Sequence, residues 1–301
     1  MRGARTVLAT TRLEEHRMSA GFSARSLRQI GGHPLDPILS VDEFRMSEPT
    51  FPPHPHAGFS AVTYLFEDSK GAFTNRDSLG DRSLIGPGAL HWTQAARGMM
   101  HEEIPAVPGV EGHGIQMFVN LRATDKAAAP RAFHVAAGEV PVLEREGARV
   151  RVLAGELDGA RSPLRELLTP ILFLDVHLAP GAALHVPVPA SHTAFVLAIS
   201  GAGAVGPDGA TRPLAAHEAA SFVEDGDALA LGAGPEGLEV LVLAGEPIGE
   251  PVIFGGPFAM TSRAEIQDAF ARYERGEMPH VQSSGDINQN PFRAIQTNIF
   301  Q

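Results

Sequence analysis

Four side chains in two short segments carry the chemistry most worth pursuing: His54 and His56 in Phe51-Pro52-Pro53-His54-Pro55-His56, and His101 and Glu103 in Met99-Met100-His101-Glu102-Glu103. Imidazole nitrogens and carboxylate oxygens are the donors that hold divalent transition metals. On an extended segment side chains two apart point the same way, so His54 joins His56 and His101 joins Glu103, while Pro55 and Glu102 face away. Adjacent strands would then present three imidazoles and one carboxylate to a single interior. A lone histidine is usually a satisfied or solvent-facing side chain, but two paired motifs of matching parity are much rarer by chance. Pro52, Pro53 and Pro55 also preset the backbone around the first pair. A narrower version makes His54 a rim residue and leaves three ligands.

The chain has no cysteine, so any metal is held by nitrogen and oxygen, and disulfides and thiol nucleophiles are excluded. Such a ligand set suits one mononuclear divalent ion, whether iron, nickel, copper, manganese, cobalt or zinc. Four protein ligands on an octahedral ion leave two adjacent positions for water, substrate or dioxygen, which is the layout of a catalytic site.

Strands must position these groups. Ser60-Ala61-Val62-Thr63-Tyr64-Leu65-Phe66-Glu67, rich in β-branched and aromatic residues, reads as a strand ended by the turn Asp68-Ser69-Lys70-Gly71. Gly86-Pro87-Gly88 marks a turn before the strand that carries Trp92, and Gln94 to Gly98 is a loop leading into His101 and Glu103. Gly114 to Leu121 is a further strand, and periodicity is lost from Arg122 to Pro130, where a domain boundary is expected. Asp42 and Glu43 suit exposed strand ends better than a site.

The second half repeats the rhythm, with strands at Ile171-Leu178 and Leu238-Gly245, and reads as a degenerate internal duplicate. Val186-Pro187-Val188 stands where the first copy has His-Pro-His, and no His-x-Glu follows. His185, His192 and His217 are therefore read as ordinary residues, and no metal is expected there. One helix closes the chain: Ser262 and Glu265 make a capping box, Ile266, Phe270 and Tyr273 fall at helical spacing, and Gly276 stops it. A polar tail runs from His280 to Gln301. The expected division is 1–132, 133–260 and 261–301.

The 301 residues, with 44% hydrophobic and 20% charged content, describe a globular chain large enough for two domains, and 32 glycines with 24 prolines favour short strands and turns. A formal net charge of -11 argues against affinity for nucleic acid or anionic lipid, which rests on lysine and arginine. No apolar run is long enough to span a bilayer. A cytoplasmic monomer is expected.

Taken together, His54-Pro55-His56 with Gly58-Phe59, Val62-Thr63-Tyr64-Leu65, Arg76-Asp77-Ser78, Ile85-Gly86-Pro87-Gly88, Trp92, Arg97-Gly98, His101 with Glu103, Gln116, Val119-Asn120-Leu121, Ala244-Gly245-Glu246-Pro247-Ile248 and Gly256-Pro257-Phe258 resemble the pirins, a bicupin branch of the cupin superfamily. The resemblance runs from about Asp36 to Phe258 and into the final helix. It implies an all-β fold of two cupin jelly-roll barrels in tandem with a C-terminal helix. The first barrel would hold one metal, usually Fe(II), through His54, His56, His101 and Glu103. The chain departs from the pattern at Ala57, where many pirins have a polar residue, at Asn75, where histidine often precedes Arg-Asp-Ser, and at His91, where glutamine usually precedes tryptophan. Ala57 and Asn75 are expected at the pocket mouth or around the ligands.

Bacterial pirins resemble quercetin 2,3-dioxygenases, so the resemblance also implies a small aromatic substrate and O2. A flavonol would chelate the metal while Glu103 takes the 3-hydroxyl proton. Phe51, Phe59, Trp92, Met99, Met117 and Phe118 are apolar candidates for the substrate slot, several of which barrel core would equally claim. Gln116 and Arg97 are candidate polar contacts, and Arg97 could instead brace the loop before His101. The alternative function is a regulator, also described for pirins, in which the metal's redox state adjusts a surface for a protein partner; a structural cupin with an idle metal is a third reading.

Overall fold

The computed structural model describes residues 3–281. Residues 282–301 of the expected polar tail lie outside the described residues. The described residues divide into two compact units that are interleaved in sequence: 15–24, 41–138 and 248–281 form one, and 3–14, 25–40 and 139–247 the other. The serial division at 132 and 260 differs from this at both ends. The strand Val7–Arg12 pairs with Glu218–Phe222 in the unit of the second barrel, while Phe258–Met260 and the final helix belong with the first.

In the first barrel unit, a seven-stranded sheet runs in the order Arg131–Val135, Leu90–Gln94, Phe59–Leu65, Gly112–Asn120, Ile38–Met46, Phe22–Leu27, Glu15–Ser19. A four-stranded sheet places Met99–Pro105 between Phe73–Asp77 and His54–His56, with Leu84–Ile85 at its far edge. Every residue of Phe59–Leu65 is buried, as expected of a central strand covered on both faces.

The second barrel has a hydrocarbon interior. Val150, Val152, Leu174, Val176, Val196, Val240 and Val242 are buried in one cluster that also takes Val186 and Val188, the positions that the internal repeat sets against His54 and His56.

The helix spans Arg263–Glu274, capped by Ser262, whose hydroxyl accepts from the Glu265 amide while the Glu265 carboxylate accepts from the Ser262 amide. Gly276 follows in the left-handed region, φ 74°, ending the helix. Its Ile266, Phe270 and Tyr273 face pack on a buried cluster of Ala57, Met100, Phe258, Met260, Ala269 and Met278. Among the described residues no helix is long and apolar enough to cross a membrane.

Candidate metal centre

Pairing of Met99–Pro105 with His54–His56 sets His101 opposite His54, and alternation brings His54, His56 and His101 to one side. The three ring centroids form a near-equilateral triangle of 4.7, 4.8 and 4.8 Å. His54 Nδ1 lies 2.9 Å from the Pro52 carbonyl oxygen, an atom that can only accept, so Nδ1 carries the proton and Nε2 the lone pair. That Nε2 is 3.1 Å from His56 Nε2. Two nitrogens each about 2.1 Å from a common cation, at right angles, stand about 3.0 Å apart. The spacing fits a shared cation.

Burial lowers all three imidazoles, His56 and His101 well below the usual imidazole range, with their neighbouring histidines adding to the effect in those two. Neutral rings keep their lone pairs for a metal. Glu103 stands beside them, its Oε1 4.0 Å from His101 Nδ1. Burial pushes its carboxyl from the usual 4.5 up to about 7, against the lowering effect of a hydrogen bond from Thr63. The Thr63 hydroxyl is 2.5 Å from Glu103 Oε2 and 2.9 Å from the Gln116 side-chain amide. One hydroxyl proton cannot serve both, and an ionised carboxylate accepts only. The atom facing Thr63 is Gln116 Oε1; turning that amide over, so that its N–H2 donates to Thr63 while Thr63 donates to Glu103, gives every group a partner it can use. Sequence reasoning placed Gln116 near the site but missed Thr63, although its parity with Phe59 and Ala61 was visible in the strand.

The aromatic candidates separate by face. Phe59 and Phe118 pack edge-on against His56 at 5.0 and 5.5 Å and against each other at 4.6 Å. Phe51, half-buried, lies 6.5 Å from His54. Trp92 is the register partner of Val62, whereas His91 pairs with Thr63; Trp92 therefore belongs to the opposite face from Thr63 and does not join the slot. Arg97 is exposed and lines a surface cleft of about 300 Å³ with Lys126, Glu265 and Arg272. Its carbonyl accepts from Arg272, which favours the bracing role over a polar contact at the metal.

The departures also find places. Ala57 is fully buried in the apolar seam under the helix rather than at the pocket mouth. Asn75 pairs in register with Glu103 and donates to Asp81 at 2.9 Å. Glu43, expected at an exposed strand end, is buried within 3.4 Å of His113. The turn between His56 and Phe59 rests on Gly58, at φ 88°, where a Cβ would stand 1.8 Å from the Ala259 carbonyl oxygen. Buried Lys126 ties this turn down by donating to the Gly58 and Ala259 carbonyls and to Asn120 at 2.6, 3.0 and 2.8 Å. In the second barrel unit, Asp175, His177 and Glu239 also gather. There His177 Nε2 is 3.2 Å from Asp175, whose hydrogen bond raises the imidazole, the behaviour of an ion pair.

Comparison with known families matches residues 16–119 to the pirin model and residues 173–279 to the pirin C-terminal cupin domain. A pirin-like protein of Solanum lycopersicum is 38% identical over 254 residues, covering 81% of this chain and 82% of its own. Pirin of Homo sapiens is 36% identical over 263 residues, covering 86% and 89%. Among solved structures, a quercetin 2,3-dioxygenase from Acinetobacter baumannii superposes with a TM-score of 0.81 at 28% identity, covering 93% of this chain and all of its own. A nickel(II) complex of a bacterial pirin from Escherichia coli shares the fold, with a TM-score of 0.61 at 15% identity, covering 78% of this chain and 96% of its own.

Proposed function

Because the chain belongs to the pirin family and has its two cupin domains, we propose that it is a metal-dependent dioxygenase of the quercetin 2,3-dioxygenase type. In this reading His54, His56, His101 and Glu103 hold one divalent ion, with Fe(II) first among the choices and nickel, copper, manganese, cobalt and zinc also suited to the donors. The observation that carries it is the convergence of His54, His56 and His101, with Glu103 Oε1 standing 4.0 Å from His101 Nδ1. The likeness to a quercetin 2,3-dioxygenase over 93% of the chain supports the substrate class.

When bound, the ion would supply Lewis acidity and a template for the 3-hydroxy-4-keto edge of a flavonol. Glu103, beside His101, is the group placed to take the 3-hydroxyl proton. Thr63, itself fed by Gln116, holds the accepting carboxylate in place. Phe59 and Phe118 give a flat ring an apolar wall beside His56. His54, half-buried where its partners are buried, marks the side open to solvent. Dioxygen is consumed and the central ring opens with loss of carbon monoxide.

The test is protein reloaded separately with each of these metals and given quercetin in oxygenated buffer. Flavonol absorbance should fall with stoichiometric carbon monoxide in at least one metal form, and His101→Ala should abolish both. No flavonol loss with any metal would overturn the reading.

A further inference from the structure

Beside the three-histidine cluster, the same barrel gathers a second set of donors. Asp77 is the register partner of His101, and His91 that of Thr63, so each shares its strand face with a member of the first site. Donor atoms of Asp77, Asp81 and His91 all lie within 4.8 Å of one another.

Local bonding explains part of this arrangement. Asp77 Oδ1 accepts from the amides of Leu79 and Asp81 at 2.8 and 3.0 Å. Asp81 accepts from Asn75 Nδ2, the Ser83 amide and the Ser83 hydroxyl at 2.9, 2.9 and 2.8 Å. These bonds are the ordinary ones of aspartate-centred turns. They leave two things unexplained. Asp77 Oδ2 is buried without a hydrogen-bond partner, and His91, with 0% of its surface exposed, has none at either ring nitrogen. Buried polar groups are nearly always satisfied, and a buried unpaired carboxylate oxygen is costly.

We propose that Asp77, Asp81 and His91 form a second divalent-cation site inside the first barrel, separate from the one built on His54, His56 and His101. Two carboxylates and a neutral imidazole balance a 2+ charge. Asp81 retains lone pairs beyond those used by its donors, since an ionised carboxylate offers about four acceptor positions. The turn bonds hold Asp81 and one oxygen of Asp77 in place, leaving Asp77 Oδ2 and a His91 nitrogen as the donors a cation would satisfy. Its donor set is harder than that of the three-histidine cluster, so the second site favours manganese, iron or zinc where the first accepts nickel or copper more readily.

Manganese(II) is the probe. Full-length protein stripped with chelator is dialysed against Mn(II), and bound metal is counted by elemental analysis and by the loss of the free-ion electron paramagnetic resonance signal. Wild type should saturate at two equivalents, and a variant carrying His56→Ala with His101→Ala at one. In that background His91→Gln or Asp81→Asn should remove the remaining equivalent while near-ultraviolet circular dichroism stays native. If either of the two variants misfolds, the other decides. Zero manganese in the first-site variant, or full retention after His91→Gln or Asp81→Asn, would overturn the proposal. The count does not depend on dioxygenase activity, so failure of the proposed reaction would leave it standing.

Discussion

Glu103→Gln in the metal-free protein should stabilise the fold at alkaline pH and leave it unchanged in acid. The wild-type carboxyl is buried, with 10% of its side chain exposed, and its pKa is raised from 4.5 to about 7. An unfolded chain loses this proton near 4.5, whereas the native state keeps it until about 7. Between those values the native state binds more protons, so stability falls as pH rises through the window and stays low above it. At about 1.4 kcal/mol per pH unit, the full effect is about 3 kcal/mol at pH 8. Glutamine keeps the shape and can still accept from Thr63 but has no charge to desolvate. Urea unfolding of both proteins in chelator, at intervals from pH 4 to pH 8, should give curves that coincide in acid and separate to about 3 kcal/mol. Parallel curves across the range would refute the argument from burial. Adding a divalent ion at pH 8 should reverse the order, since the wild-type carboxylate then gains a cation and the amide does not. Failure of that arm alone would count against Glu103 as a ligand and leave the burial argument intact.

Thr63→Val removes the donor that lowers the Glu103 carboxyl, so metal uptake should shift to higher pH; an unchanged pH profile of binding would remove Thr63 from the site. Lys126→Met leaves the Gly58 and Ala259 carbonyls without their ammonium donor and should cost about 2–4 kcal/mol in urea unfolding; a loss within error would show that Lys126 does not secure the turn. Gly58→Ala sets a Cβ 1.8 Å from a carbonyl oxygen, whereas Gly80→Ala, at a similar φ of 94°, meets nothing within 4 Å. The first should fail to fold or lose more than about 3 kcal/mol and the second only about 1 kcal/mol, as thermal unfolding would show.

What could be read in advance was local. Alternation along Pro53 to His56 and along Met99 to Glu103 is a property of each strand alone, and it suffices to bring His54, His56 and His101 to one side. Ser262 and Glu265 announce the helix start for the same reason, because both halves of the cap lie within four residues. What depends on a neighbouring strand was illegible. The face taken by Trp92 follows from its register against Val62, which nothing in Leu90 to Gln94 specifies. Ala57 looked like a pocket residue because it follows His56, yet odd parity turns it under a helix more than 200 residues later in the chain. The Gln116, Thr63 and Glu103 relay joins three strands, and only the pairing of Thr63 with Gln116 makes it visible.

The assignment of Phe258–Met260 and the last helix to the first barrel unit bears on how the protein is made. The Gly58 turn beside His56 is clamped through the Ala259 carbonyl, and Ala57 bonds to the Ala259 amide at 3.0 Å. A ribosome delivering the chain from its N-terminus therefore synthesises both histidine motifs long before the strand that closes over them, and folding of this half must wait for nearly the whole polypeptide. Truncation after residue 138 would yield all four proposed ligands in a unit lacking the segment that packs under Ala57, and such a fragment should be recovered as aggregate unless residues 248–281 are supplied alongside it.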